Sequence, residues 1–121
     1  DYLQTGVAST GQVHLVQASV MDDILTVALL YEDPQGVVSY PFDDVFLVAG
    51  QKKYPILRDE NGRYLAAPES MVSSEINRRH GVMLVSGQNR LVWFQFPRPH
   101  GEERIQLQVP DAIPFEIELK S

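Results

Sequence analysis

Leu91-Val-Trp-Phe-Gln-Phe-Pro97 decides the fold class. Val92, Phe94 and Phe96 alternate with Leu91, Trp93 and Gln95, and a strand sends alternate side chains to opposite faces. The first set makes a complete inward face. Ile105-Gln-Leu-Gln-Val109 and Phe115-Glu-Ile-Glu-Leu119 repeat the alternation, with Pro, Gly and charged residues between the runs. These patterns predict strands and carry no chemistry of their own.

Upstream, Ile24–Tyr31 places Leu25, Val27, Leu29 and Tyr31 on one face and Ile24, Ala28 and Leu30 beside Thr26 on the other, as a central strand does. In Gln12–Val20 the apolar set changes phase after Leu15: Val13 and Leu15 fall on one parity, Val16, Ala18 and Val20 on the other. A bulge or a change of sheet is the expected cause. Glu32-Asp-Pro-Gln-Gly36 is a loop, and Val45–Ala49 resumes the sheet. Tyr54–Asp59, Asn61-Gly62 and Arg63–Leu65 read as a hairpin with a type I′ turn, Pro55 marking an edge strand. Pro68–Arg79 is the one predicted helix, with Pro68 in its first turn, Val72 and Ile76 four apart, and Arg78 and Arg79 at its C-terminal end. The whole predicts an all-β chain of about seven to nine strands with at most one short helix, in an antiparallel sandwich rather than βαβ units.

The 121 residues are the size of one domain, read as a flexible lead-in over 1–11 and a single sandwich over 12–121. No stretch approaches the roughly 20 apolar residues of a membrane-spanning helix. Cysteine is absent, which excludes disulfides and thiolate metal sites. The net charge is −6, and residues 1–51 hold seven acidic side chains and no Lys or Arg. Such acidity argues against nucleic acid, which requires a basic footprint.

These elements resemble a family of small immunoglobulin-like domains found in bacterial secreted proteins and lipoproteins, mostly of unassigned function. The matching features are the early strand pair containing Leu25-Thr-Val-Ala-Leu29, the hairpin near Lys53-Tyr54, the Gly turn before Val92-Trp-Phe-Gln-Phe-Pro97, and the closing Phe115-Glu-Ile-Glu-Leu119. The chain departs from that pattern with Glu32-Asp33 where an Asn often stands, and with Ser86-Gly87 in place of Pro-Gly. The resemblance implies an extracytoplasmic adhesion, scaffolding or accessory module and brings no catalytic residue. A chain opening at Asp1-Tyr-Leu without Met fits the same expectation of export.

Candidate sites are few. His14, His80 and His100 lack the i, i+2 or i, i+4 partners that metal ligands use. Asp22-Asp23 and Asp43-Asp44 are adjacent pairs, read as turn-forming and solubilising. Asp59-Glu-Asn61 lacks the alternation of a calcium loop and reads as a hairpin tip. There is no G-x-S-x-G elbow, phosphate loop or HExxH. No catalytic, cofactor-binding or metal-binding residue is therefore assigned, and no cofactor is expected. Arg78, Arg79, Arg90 and Arg98 form the one basic concentration, a candidate docking patch for an acidic protein partner. Tyr40, Tyr54 and Tyr64 are candidates for a ligand cleft of the kind that binds small molecules or carbohydrate. Leu91 and Trp93 either lie under the Pro68–Arg79 segment, the favoured reading, or form a partner-binding surface.

Overall fold

The alternation becomes twelve strands in the computed structural model, which describes residues 2–8, 11–35, 38–73 and 78–119. In chain order they are β1 (Gln4–Ala8), β2 (Gly11–Met21), β3 (Ile24–Glu32), β4 (Val38–Pro41), β5 (Phe46–Ala49), β6 (Lys52–Pro55), β7 (Ala66–Ala67), β8 (Ser70–Ser73), β9 (Arg78–Leu84), β10 (Arg90–Pro97), β11 (Arg104–Gln108) and β12 (Phe115–Glu118). Among the described residues one 3-10 turn, at Phe42–Asp44, interrupts them. The count exceeds nine because several pieces run to four residues or fewer. Among the described residues no helix is long and apolar enough to cross a membrane.

The strands form three antiparallel sheets, ordered β1-β2-β3-β10-β7, β12-β11-β5-β6 and β4-β9-β8. Their inner residues meet in one core, an all-β sandwich. Val92, Phe94 and Phe96 are fully buried, and Phe94 lies edge-on to Phe42 at 6.2 Å between ring centres. Burying one such ring contributes about 1.5–3 kcal/mol by transfer from water.

The phase change in β2 is a bulge, with the register shifting between Leu15 and Gln17. Leu15 stands opposite Leu29, whereas beyond the bulge Ala18 and Val20 stand opposite Val27 and Leu25. Partners across an antiparallel pair share a face, so Val16 absorbs the half-period and both apolar sets lie on one side.

Three expectations are corrected. The lead-in contains β1, paired with β2 from Gln4 through Ala8 and bridged to Ala112; its polar composition hid it. The predicted helix is replaced, over its described residues, by β8 and the start of β9; Glu75 and Ile76 lie outside the described residues. Val72, counted toward a helical stripe, is instead buried on β8 opposite Arg79, because sheet pairing outweighs a weak local propensity. The Asn61-Gly62 turn is not type I′, since Asn61 has no positive φ. Asp59 Oδ1 accepts from the Asn61 and Arg63 amides at 2.8 and 2.9 Å, and Gly62 alone takes the left-handed conformation at φ 81°. The type I′ hairpin is at Asp22-Asp23, with φ 52° and 62°, joining β2 to β3.

Candidate functional site

The outer face of the five-stranded sheet is built from cross-strand rows, and its chemistry follows from the register. One row aligns Ser19, Thr26 and Gln95; the next aligns Gln17, Ala28, Trp93 and Ala67; the third aligns Thr5, His14, Leu30 and Leu91. None of these residues carries a formal charge except His14 when protonated, although charged side chains make up 21% of the chain. A sheet face turned to water normally carries charged and polar residues in alternation with the core. Here it carries amides, hydroxyls and large apolar groups.

Leu91 and Trp93 are 54% and 37% exposed. The favoured reading that Pro68–Arg79 covers them is corrected for its described residues, because the chain pairs with Trp93 through β7 and these residues then pass into the β4-β9-β8 sheet; residues 74–77 of that segment lie outside the described residues. The two cross-strand partners of Trp93 are Ala28 and Ala67, the smallest side chains with a Cβ. Neither stands as high as an indole, so Trp93 has no tall neighbour directly across on either side. In the adjacent row the Gln95 amide donates to Thr26 Oγ1 at 3.2 Å, and on β2 the Gln17 amide donates to Ser19 Oγ at 3.0 Å. Each bond spends one amide N–H and leaves the group's remaining donor and acceptor capacity.

One corner of the face holds the most organised polar cluster. His14 is 3% exposed. Its Nε2 lies 2.5 Å from Glu32 Oε2 and its Nδ1 2.8 Å from Thr5 Oγ1, while the Tyr2 ring stacks on it at 3.9 Å and 12°. A neutral imidazole satisfies both bonds when Nε2–H donates to the carboxylate and the Thr5 hydroxyl donates to Nδ1. This hydroxyl-imidazole-carboxylate chain ties β1, β2 and β3 together beneath a lid of Tyr2. Its members are 9 and 18 residues apart in the chain, so only the strand register, which puts Thr5 opposite His14, could have found it.

The arginines are not gathered into one patch. Arg90 opens β10 and Arg98 follows its last residue, about 25 Å apart along an extended strand. Arg79 lies 3.9 Å from Asp43, which Arg58 also approaches at 3.6 Å, so acidic and basic halves meet within the chain. The Arg78 side chain lies outside the described residues. Of the tyrosines, Tyr40 is buried with Tyr31 at 2.6 Å between hydroxyls, and Tyr54 packs against the core. Burial pushes Tyr31 up to about 12, its bond from Tyr40 opposing and the charge of Asp111 adding to the rise. Burial also raises Tyr40 well above its usual value, with neighbouring Tyr31 contributing. Tyr64 lines a cleft, of about 320 Å³, with Phe42, Pro55, Ile56, Arg58 and Pro97. Its hydroxyl donates to Asp43 and accepts from Arg58, whose guanidinium stacks 4.1 Å from the ring centre. These groups bind one another across the cleft mouth.

Among the described residues no group of three or more His, Asp or Glu side chains is placed to hold a metal ion. Comparison with protein families, curated proteins and solved structures finds no match. The outer sheet face is therefore read from its own chemistry.

Proposed function

We propose that the chain is a noncatalytic interaction module that binds through the outer face of the five-stranded sheet. The observation carrying this reading is that the three rows around exposed Leu91 and Trp93 hold no Lys, Arg, Asp or Glu in a chain of net charge −6. Aromatic residues are enriched and charges depleted at the centres of binding surfaces. A large aromatic that keeps more than a third of its surface in water, beside the half-exposed Leu91, is better explained by a binding role than by packing alone. The module is assigned to an extracytoplasmic setting on the resemblance given above, which also implies an adhesion or accessory role.

The test separates binding from packing. A Trp93→Ala, Leu91→Ser double variant is expected to unfold in urea within about 1 kcal/mol of the parent, as for exposed positions. Acrylamide is expected to quench Trp93, the only tryptophan, readily in the parent chain. A loss beyond about 3 kcal/mol together with weak quenching would return the pair to the core and end this reading.

A further inference from the structure

We propose that the ligand of this face is a neutral polysaccharide, one sugar ring of which stacks on the Trp93 indole while Gln17, Ser19, Thr26 and Gln95 exchange hydrogen bonds with its hydroxyls. The inference rests on the outer face being the binding surface and specifies what lies there.

Four observations point to that chemistry. The first is the access to the indole. Trp93 is 37% exposed and its cross-strand partners Ala28 and Ala67 are small, so the exposed part of the indole offers an apolar surface to a C–H-bearing ring. The second is the polar set beside it. Amides and hydroxyls both donate and accept, as sugar hydroxyls do, and their mutual bonds at 3.0 and 3.2 Å hold them in place before a ligand arrives.

The third is charge. A phosphate- or carboxylate-bearing polymer would meet no Lys or Arg in these rows, and the Glu32 carboxylate at the corner of the face is already held by His14. The fourth is shape. Tyr2, stacked on His14, lies two strands and two residues from Trp93, about 12 Å by strand spacing. Two partly exposed aromatic rings at that separation on one sheet face suit an extended chain with repeating rings better than a compact ligand needing an enclosed pocket.

The probes are hexasaccharides of β-1,4-linked glucose, xylose and mannose, titrated into the full chain while Trp93 emission is followed. At least one is expected to blue-shift the emission and saturate with a Kd between about 10 μM and 1 mM. Trp93→Ala, checked by circular dichroism, is expected to weaken binding of that sugar at least tenfold by calorimetry. Gln95→Ala is expected to weaken it severalfold, and Tyr64→Ala, in the separate cleft, to leave it unchanged. Raising the salt to about 1 M is expected to leave the Kd within twofold. No emission change with any probe at about 10 mM overturns the proposal, and so does binding that survives Trp93→Ala, is lost in Tyr64→Ala or collapses in salt. Failure here alongside an unperturbed stability of the Trp93→Ala, Leu91→Ser variant would remove the sugar and leave the binding face standing. Failure of both would remove the face itself.

Discussion

Gly81 brings β9 so close to β4 that a Cβ on it would lie 2.1 Å from the carbonyl oxygen of Tyr40. Both groups are main chain in a paired register, Pro41 opposite Gly81, so no rotamer change relieves the contact. Gly81→Ala is expected to destabilise the fold by about 2–4 kcal/mol in urea unfolding, far above the cost of an ordinary exposed substitution. A variant of parental stability would show that the two strands can part at little cost.

The Tyr31-Tyr40 pair makes stability depend on alkaline pH. Burial disfavours the phenolates, so both folded values lie above the ordinary value of 10.0, Tyr31 near 12. A raised folded value means that the contribution is complete below pH 10. It falls as the unfolded chain ionises above that point, by roughly 1 kcal/mol per pH unit for each phenol, until the folded phenols ionise too. Urea midpoints measured at pH 8 and pH 11 are expected to show this loss, and Tyr40→Phe to reduce it. A flat profile would contradict the burial of the pair.

His14 predicts a local effect as well as a global one. His14→Ala leaves Glu32 and Thr5 without their partner and removes the ring on which Tyr2 stacks. A loss of about 2–3 kcal/mol is expected, with faster hydrogen exchange concentrated in the amides of β1. Uniform acceleration across all strands would show that the cluster supports the core and does not chiefly pin the edge.

Asp22 and Asp23 occupy left-handed positions that glycine and asparagine take more easily. Replacing them by Asn-Gly is expected to raise stability by about 0.5–1 kcal/mol, read from the urea midpoint. A lower midpoint would mean that their carboxylates contribute more than their backbone strain costs, the weak Asp23-His100 contact at 3.8 Å included.

How far the chain could be read in advance follows from the range of each signal. β10, β3 and β12 were legible because a buried face repeats every second residue in a single run. The bulge was legible as a phase error, though not the side to which it returned the apolar set. β1 was hidden, since Gln4-Thr-Gly-Val-Ala8 is mostly polar and becomes a strand only by pairing with β2. Pro68–Arg79 misled because helical spacing of Val72 and Ile76 is a local cue, whereas the pairing of β8 with β9 is decided in three dimensions. The exposure of Leu91 and Trp93 was one of two alternatives open from alternation alone. Gln17, Ser19, Thr26 and Gln95 were missed, because neutral polar side chains give no pattern until the register aligns them. The same register joins Thr5 to His14.

Val16 acts as a phase corrector for the sheet. Chain before it and chain after it are written in opposite parity, and the extra residue lets a single strand satisfy both. Deleting Val16 without changing any other residue would leave Leu15 opposite Leu29 and Gln17 opposite Ala28 in one unbroken ladder, with Val13, Leu15, Ala18 and Val20 in strict alternation on the apolar side. The extra residue therefore moves neither apolar set across the sheet, and what it adds at this point of β2 is the local bend and stronger twist of a bulged strand.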